Sequence, residues 1–458
     1  MNMTIPGVEK RLQDRYQQLV EEHSGHAHRS AAGPRILPDE PSSHAAAMAA
    51  WRFYLNPRTT FTRLAQPMLE AAVTAAQTRC SDFALVPLDW CKLDYSEHVS
   101  KADRYQTGNS HEVGYKLLSA LLLGDSDGQP LAPLVAQLQT AEGLLSSRFD
   151  RPRRALSVLD ELAPVMDFVN RQPLGHRPVF IIDAETDSVH HYRTWQRRGH
   201  LFLVRADQER YARLVSPDGK KGEELLLPGI AERLAQRHAF GRVREVDYKG
   251  QKVWQHVAEA AVVLDREACL NRLVDGERRR LKVRGKDLAV RLVITELRDE
   301  AGAVLERWYL LTNVPDSVEA ARVALWYYWR WAMETFFKLL QAAGQEVERW
   351  QQENGRFILK RLLVASMACV LAWRLAHSTA PQADEARRLV MRLSGRQVEH
   401  GKDYTVEALL AGMWVLLALR TIAQQMSATR LTELADFVLA GSAAAADPTD
   451  PRQLREAG

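Results

Sequence analysis

Cysteine is scarce in this chain: the four present, Cys80, Cys91, Cys269 and Cys369, stand far apart, with no Cys-x-x-Cys pair. That spacing excludes a disulfide-stapled scaffold and a zinc knuckle, and fits a reducing compartment. Long apolar runs are missing too. Leu362 to Trp373 and Ala408 to Leu419 are each shorter than the roughly 20 residues a bilayer requires, so both are expected to be buried core helices rather than membrane spans. Lys360, Arg361 and Arg374 bracket the first run and Arg420 closes the second, as expected where core helices reach solvent at their ends. The opening MNMTIPGVEKRLQDRYQQ has no apolar h-region, so no signal peptide is expected and the cytoplasm is the expected location. Neither sign of charge dominates: 61 Lys and Arg against 57 Asp and Glu leave +4, with a pI near 8.8. Total charge therefore does not point to nucleic acid, and only local clusters could. No repeat of 20 to 50 residues is visible, which sets solenoids aside.

What is present is globular. With 458 residues and 46% hydrophobic composition, the chain can bury one large core with additions, or form two to three domains. Residues 1–80 read as a small helical module interrupted by a Gly, Pro, Ser and His-rich loop, His23 to Ser43. His23, His26 and His28 in that loop have no further ligand at metal spacing, so an exposed polar loop is the reading. From Phe83 the texture changes: FALVPLD and PVFIID each look like a buried strand carrying an acid at its end. Between them, YKLLSALLLGDSDGQPLAPLVAQ supplies two apolar segments around the turn residues Asp125 to Gln129. An α/β core over 81–200 follows. The segments LFLVRA, KVWQHVAEAAVVL, RRLKVRGKDLAVRLVITEL and RWYLLTNV then suggest a β-rich insertion over 201–314. Beyond Pro315 the pattern is helical, with a core helix in 315–356, a helical region in 357–458 and a frayed tail from Ala444.

The most informative stretch is DSVEAARVALWYYWRWAMETFFKLLQAAG, expected to form one long helix from Asp316 to Gly344 with a capping box at Asp316 and Glu319. On it Tyr327, Arg330, Glu334, Lys338 and Gln341 advance by three or four residues and share one face, while Trp326, Trp329, Met333, Phe336, Phe337 and Leu340 can pack on a sheet. Alone, Arg330 and Glu334 make an i, i+4 ion pair worth a few tenths of a kcal/mol. Together with the acids ending the two strands they suggest more, because two-metal phosphoryl transfer needs carboxylates converging from separate elements. Asp89, Asp183 and Glu334 form that candidate set.

This order of residues resembles bacterial insertion-sequence DDE transposases of the hairpin-forming cut-and-paste branch, those with a Tyr-Arg-Glu-Lys signature, and the resemblance spans most of the chain. Tyr327, Arg330 and Glu334 match the signature; Gln341 stands where its lysine would, and Lys338, one turn back on the same face, is the nearest substitute cation. The family's Asp-Arg-Glu-Ala-Asp motif stands here as Asp183-Ala184-Glu185-Thr186-Asp187, with the three acids kept and the arginine lost. Trp90 and Cys91 replace the threonines that usually follow the first acid, which leaves Asp94 as a competitor of Asp89. Arg205 in LVRA and Trp308 in RWYLLTNVP match DNA-contacting positions, and Arg52, Phe53, Asn56 and Pro57 match the N-terminal module.

The resemblance implies a ribonuclease H-like core with a β-rich insertion between helical N- and C-terminal regions. It implies Mg²⁺, with Mn²⁺ as a substitute, held by Asp89, Asp183 and Glu334, and a homodimer bridging paired double-stranded transposon ends and target DNA at the nucleoid. Trp308 would stack an expelled base, while Tyr327, Arg330 and Lys338 face phosphates. For duplex tracking, Arg280, Lys282, Arg284 and Lys286 would share one face of a strand, a charged ribbon suited to a phosphate backbone or simply to solvent. Two other readings stay open: a domesticated DNA-binding or inhibitory relative without catalysis, and a metal nuclease on the same fold.

Overall fold

The computed structural model describes residues 4–25, 40–274, 277–341, 345–397 and 404–439. Gly344, the tail from Ala444 and most of the loop at His23 to Ser43 lie outside them.

Helices α1 (Lys10–Gly25), α2 (Glu40–Leu55) and α3 (Phe61–Arg79) precede β1 (Phe83–Asp94). The sheet then builds through β2 (Tyr105–Gln106), β3 (Val113–Leu123), β4 (Pro130–Thr140), β5 (Gly143–Ser146) and β6 (Phe149–Arg153). After α4 (Leu162–Asn170) come β7 (Arg177–Ile182), α5 (Val189–Arg197) and β8 (Leu201–Ala206). β1, β7 and β8 run parallel side by side, and β3 and β4 continue antiparallel from β1. The run FALVPLD is nearly all buried because it lies in the middle of this sheet, where both faces are covered.

The next strands are β9 (Tyr211–Val215), β10 (Lys221–Leu226), β11 (Gly241–Tyr248), β12 (Gln251–Leu264), β15 (Leu288–Arg298) and β16 (Val304–Thr312), with α6 (Leu227–Gln236) before β11. They do not form a separate body. β16 pairs antiparallel with β8, so they extend the same sheet in the order β10-β9-β12-β15-β16-β8-β7-β1-β3-β4-β5-β6. LFLVRA, expected to open the insertion, is thus a parallel strand of the central sheet. Among the described strands, only β13 (Ala268–Val274) and β14 (Glu277–Val283) stand apart, as a two-stranded ribbon. That ribbon carries Arg280 and Lys282, but its strand ends at Val283. Arg284 and Lys286 fall in the connection beyond it, and Arg284 is paired with Glu267 at 2.7 Å, so the four cations do not share one strand face.

The single long helix expected over 316–344 is two helices, α7 (Ala320–Trp329) and α8 (Ala332–Leu340). Across the break, Arg330 N bonds Tyr327 O at 3.1 Å and Met333 N bonds Arg330 O at 2.9 Å, the i to i−3 pattern of a tightened turn. Packing explains it. The Trp329 ring sits so close over Gly128, in the β3–β4 turn, that a Cβ there would meet it at 2.3 Å, whereas α8 packs on β1 and on the later helix α9 (Gly355–His377). The two halves answer to different neighbours. The N-cap of α7 is Glu319, and Asp316 instead lies 3.4 Å from Arg291, so the expected capping box is absent.

α9 is the buried core helix expected from Leu362 to Trp373, packed against β4 and α3. Of its three flanking cations, Arg374 is exposed as expected, but Lys360 and Arg361 do not reach water. Lys360 is buried, donating to the carbonyls of Tyr54 and Asn56 and to Thr59, which ties the N-terminal module to the core. Arg361 is buried over the Trp350 ring at 4.1 Å. The second apolar run behaves differently. α10 (Ala383–Ser394), α11 (Val406–Gln425) and α12 (Ala428–Leu439) form the end of the described chain, and in α11 only Ala408, Leu409, Leu410 and Gly412 are buried. α11 is 20 residues long and apolar enough to cross a membrane by length and composition alone.

Candidate active site

The parallel register sets two acids side by side. β1 and β7 pair up to Leu88 and Ile182, and β7 and β8 up to Ile182 and Val204. The next residue on each strand is Asp89, Asp183 and Arg205. β1 itself does not stop at Asp89 as FALVPLD suggested; it runs on to Asp94 along β3, with Asp89 opposite Ser119. Asp89 therefore stands where β1 outlasts its parallel neighbour. β7 ends because Asp183 turns the chain, its carboxylate accepting from the Ala184 amide at 2.7 Å to cap a short 3₁₀ turn, Ala184–Thr186.

The third acid arrives from α8, and all three meet at Arg330. Its Nη1 donates to Asp89 Oδ2 at 2.8 Å, while its Nη2 lies 3.0 Å from Asp183 Oδ2 and 3.5 Å from Glu334 Oε1. Tyr327 donates its hydroxyl to Asp183 Oδ1 at 3.1 Å, and Arg205 approaches that same oxygen at 3.9 Å. Trp308 packs edge-on against Tyr327, ring centres 5.3 Å apart, and at 9% exposure it is a buried residue in this state. Lys338 is exposed on α8 beyond Glu334.

Burial pushes the Asp89 carboxyl up to about 6 even though the Arg330 charge and the Trp90 amide pull it down; Asp183 and Glu185 add to the rise. Glu334 is raised for the same leading reason, with Arg330 and Lys338 opposing. Burial acts against the Arg330 charge, but Tyr327, Asp183, Asp89 and Glu334 outweigh it and hold the guanidinium firmly protonated. Tyr327 is buried and raised well above an ordinary phenol. Three acids share one resident cation, and two of them lean toward neutrality, so the site has capacity for more positive charge.

Three carboxylates are the hard oxygen donors that Mg²⁺ takes, so the donor chemistry fits that ion. Their present spacing fits a guanidinium: among the described residues no three His, Cys, Asp or Glu side chains are grouped closely enough to hold a metal.

Other candidates fall elsewhere. The Asp94 carboxylate is turned to Ser96, accepting from its amide at 2.9 Å, while its own amide donates to Glu348. Of the two acids competing for the first place, Asp89 is the one at Arg330. Asp187 is bound to Arg210 at 2.9 Å and to the Tyr192 hydroxyl at 2.8 Å, away from the three acids. Gln341 bridges the Lys92 carbonyl at 3.2 Å and Glu348 at 3.3 Å, fastening the end of α8 to β1.

Two features escaped sequence reasoning. Trp331 follows Arg330 in the turn between α7 and α8 and is 59% exposed; as one more aromatic in a helical pattern it gave no signal. Asp125, legible only as a turn residue, is fully buried and accepts from the amides of Ser81, Asp82 and Phe83 at 2.8–3.1 Å and from Arg322 of α7 at 2.9 Å. It locks the start of β1 to the helix that ends in Tyr327 and Arg330. It is one of the ties, with Gln341, between β1 and the helices of the site.

No family model matches the chain, and no curated protein matches it.

Proposed function

We propose that this chain is a DNA transposase that cuts and joins phosphodiesters with divalent metal. The observation that carries this reading is the meeting of Asp89, Asp183 and Glu334, from a strand, a strand end and a helix, at one buried guanidinium. Strand order supports a ribonuclease H-like core: β4-β3-β1-β7-β8, antiparallel up to β1 and parallel after it, with the first two acids on neighbouring strands.

Asp89, Asp183 and Glu334 hold the ions, which when bound activate a water or 3′ hydroxyl and stabilise the leaving oxygen. The protein's own groups position. Tyr327 and Arg330 hold backbone phosphates, guanidinium geometry suiting phosphate oxygens, and Arg205 adds charge beside Asp183. Hydrolysis first nicks one strand and frees a 3′ hydroxyl. That hydroxyl attacks the opposite strand to give a hairpin end, water reopens the hairpin, and the same hydroxyl then attacks target DNA. An end-cleavage assay with Mg²⁺ tests this sequence, because hairpin and strand-transfer products separate it from simple nuclease cutting.

One observation favours a second reading, a non-catalytic DNA-binding or inhibitory relative: Gln341, where the signature lysine would stand, is used as a structural bridge. Such a protein binds ends and yields no cut product in the same assay.

For Trp308, the reading gives base stacking during hairpin formation, which requires the ring to leave its contact with Tyr327. Trp308→Ala is expected to nick nearly normally and to slow hairpin formation by roughly one to two decades, since base-aromatic stacking is worth about 1–3 kcal/mol. An abasic nucleotide at the expelled position should restore part of that rate. Equal losses in both steps would make Trp308 a packing residue of β16.

Cut-and-paste chemistry must hold two ends, so a dimer on paired ends is expected, with the C-terminal helices as a principal contact. The exposed apolar surface of α11 and α12, including Leu419, Leu434 and Phe437, suits it. Light scattering of the end complex checks this; one protomer with one end throughout cleavage and joining would contradict it.

A further inference from the structure

We propose that Arg330 is the resting occupant of the metal site: its guanidinium holds Asp89, Asp183 and Glu334 together until it exchanges onto a DNA phosphate and a divalent ion takes its place. This rests on reading the three acids as metal ligands, and it adds an order of events, in which DNA engagement and metal loading become one coupled step.

Three observations carry it. First, the guanidinium contacts all three acids, spanning 2.8 to 3.5 Å, so an ion drawing those oxygens into a single coordination shell must displace it. Cation and ion compete for the same charge. Second, the groups facing the site leave few alternatives: Arg205 is 3.9 Å from Asp183 and Lys338 is exposed, so neither replaces Arg330 at the centre. Third, Arg330 stands at the turn between α7 and α8, where helical bonding is interrupted, and not inside a sheet-packed helix. The exchange asks for a new direction of this one side chain, at a residue that belongs to neither helix.

An Arg that pairs equally well with carboxylate and phosphate suits such an exchange, because both present two oxygens to its planar fork. By linkage, a phosphate that draws Arg330 away raises metal affinity, and metal raises phosphate affinity by the same factor.

Mn²⁺ binding to the DNA-free protein, followed by its electron paramagnetic resonance signal, tests the exchange without any turnover. Arg330→Gln is expected to bind Mn²⁺ at least roughly tenfold more tightly than wild type, and Arg330→Lys, a shorter cation without the fork, should fall between them. Without metal, Arg330→Gln should melt below wild type, with Mn²⁺ restoring it while moving wild type little. Adding a short DNA duplex should raise Mn²⁺ affinity more in wild type than in Arg330→Gln. The wild-type and Arg330→Lys arms stand even where Arg330→Gln does not fold. Equal or weaker Mn²⁺ binding by Arg330→Gln and Arg330→Lys, or an equal effect of duplex on wild type and variant, overturns the exchange while leaving the metal-enzyme reading in place. Absence of Mn²⁺ binding in every form, with and without DNA, removes both.

Discussion

Changing Asp89, Asp183 or Glu334 singly to alanine is expected to lower strand cleavage at least about a thousandfold, with end-bearing DNA still bound. Metal-held charge stabilisation supplies several kcal/mol of the barrier, and each 1.36 kcal/mol is a decade of rate. Binding is retained because these acids face cations and do not read sequence. Folding is also expected to survive, since each change leaves Arg330 with two of its three carboxylate partners. Gel assays of cleavage beside gel-shift assays of binding make the check. Retained cleavage in one variant removes that residue from the set, and Asp94→Ala, run in parallel, should cleave normally.

The second large effect is on stability. Asp125→Ala is expected to cost about 2–4 kcal/mol, since hydrogen bonds to a charged group are worth about 1.5–3 kcal/mol each and several are lost together. Three backbone amides at the start of β1 lose their acceptor, and Arg322, still paired with Asp82 at 2.8 Å, loses its buried partner. Asp125→Asn keeps an acceptor oxygen and should lose less, though it removes the charge facing Arg322. Denaturant midpoints measure both. A change in Asp125→Ala of under about 1 kcal/mol, the worth of an ordinary hydrogen bond, would show that Asp125 is not a tie between β1 and α7. Because that tie joins β1 to a helix of the site, cleavage by whatever folded fraction remains should also fall.

Much of this was legible in the residues, for identifiable reasons. FALVPLD and PVFIID announced buried strands because central parallel strands are apolar on both faces, and the acids after them stand out against that background. Glu334 was legible because an i, i+4 relation to Arg330 survives a tightened turn. The break itself was not, since it comes from Trp329 closing over Gly128, residues two hundred positions apart. Lys360 and Arg361 misled in the same way: charge beside an apolar run ordinarily marks solvent, and only the fold brings the carbonyls of Tyr54 and Asn56 to Lys360. That the strands of the β-rich stretch continue the central sheet was not legible, because strand texture carries no information on pairing, and β16 joins β8 across about a hundred residues. The second apolar run could not be told from a core helix, because composition does not say whether an apolar face is covered within the chain.

The most direct measurement incubates the wild-type protein with Mg²⁺ and linear DNA made from the segments on either side of its coding sequence, resolving products on denaturing gels. The account predicts a nicked strand, a hairpin end and, with target DNA added, a joined product, all absent in Glu334→Ala. Stable binding to those ends with no cleavage in Mg²⁺ or Mn²⁺ would contradict it.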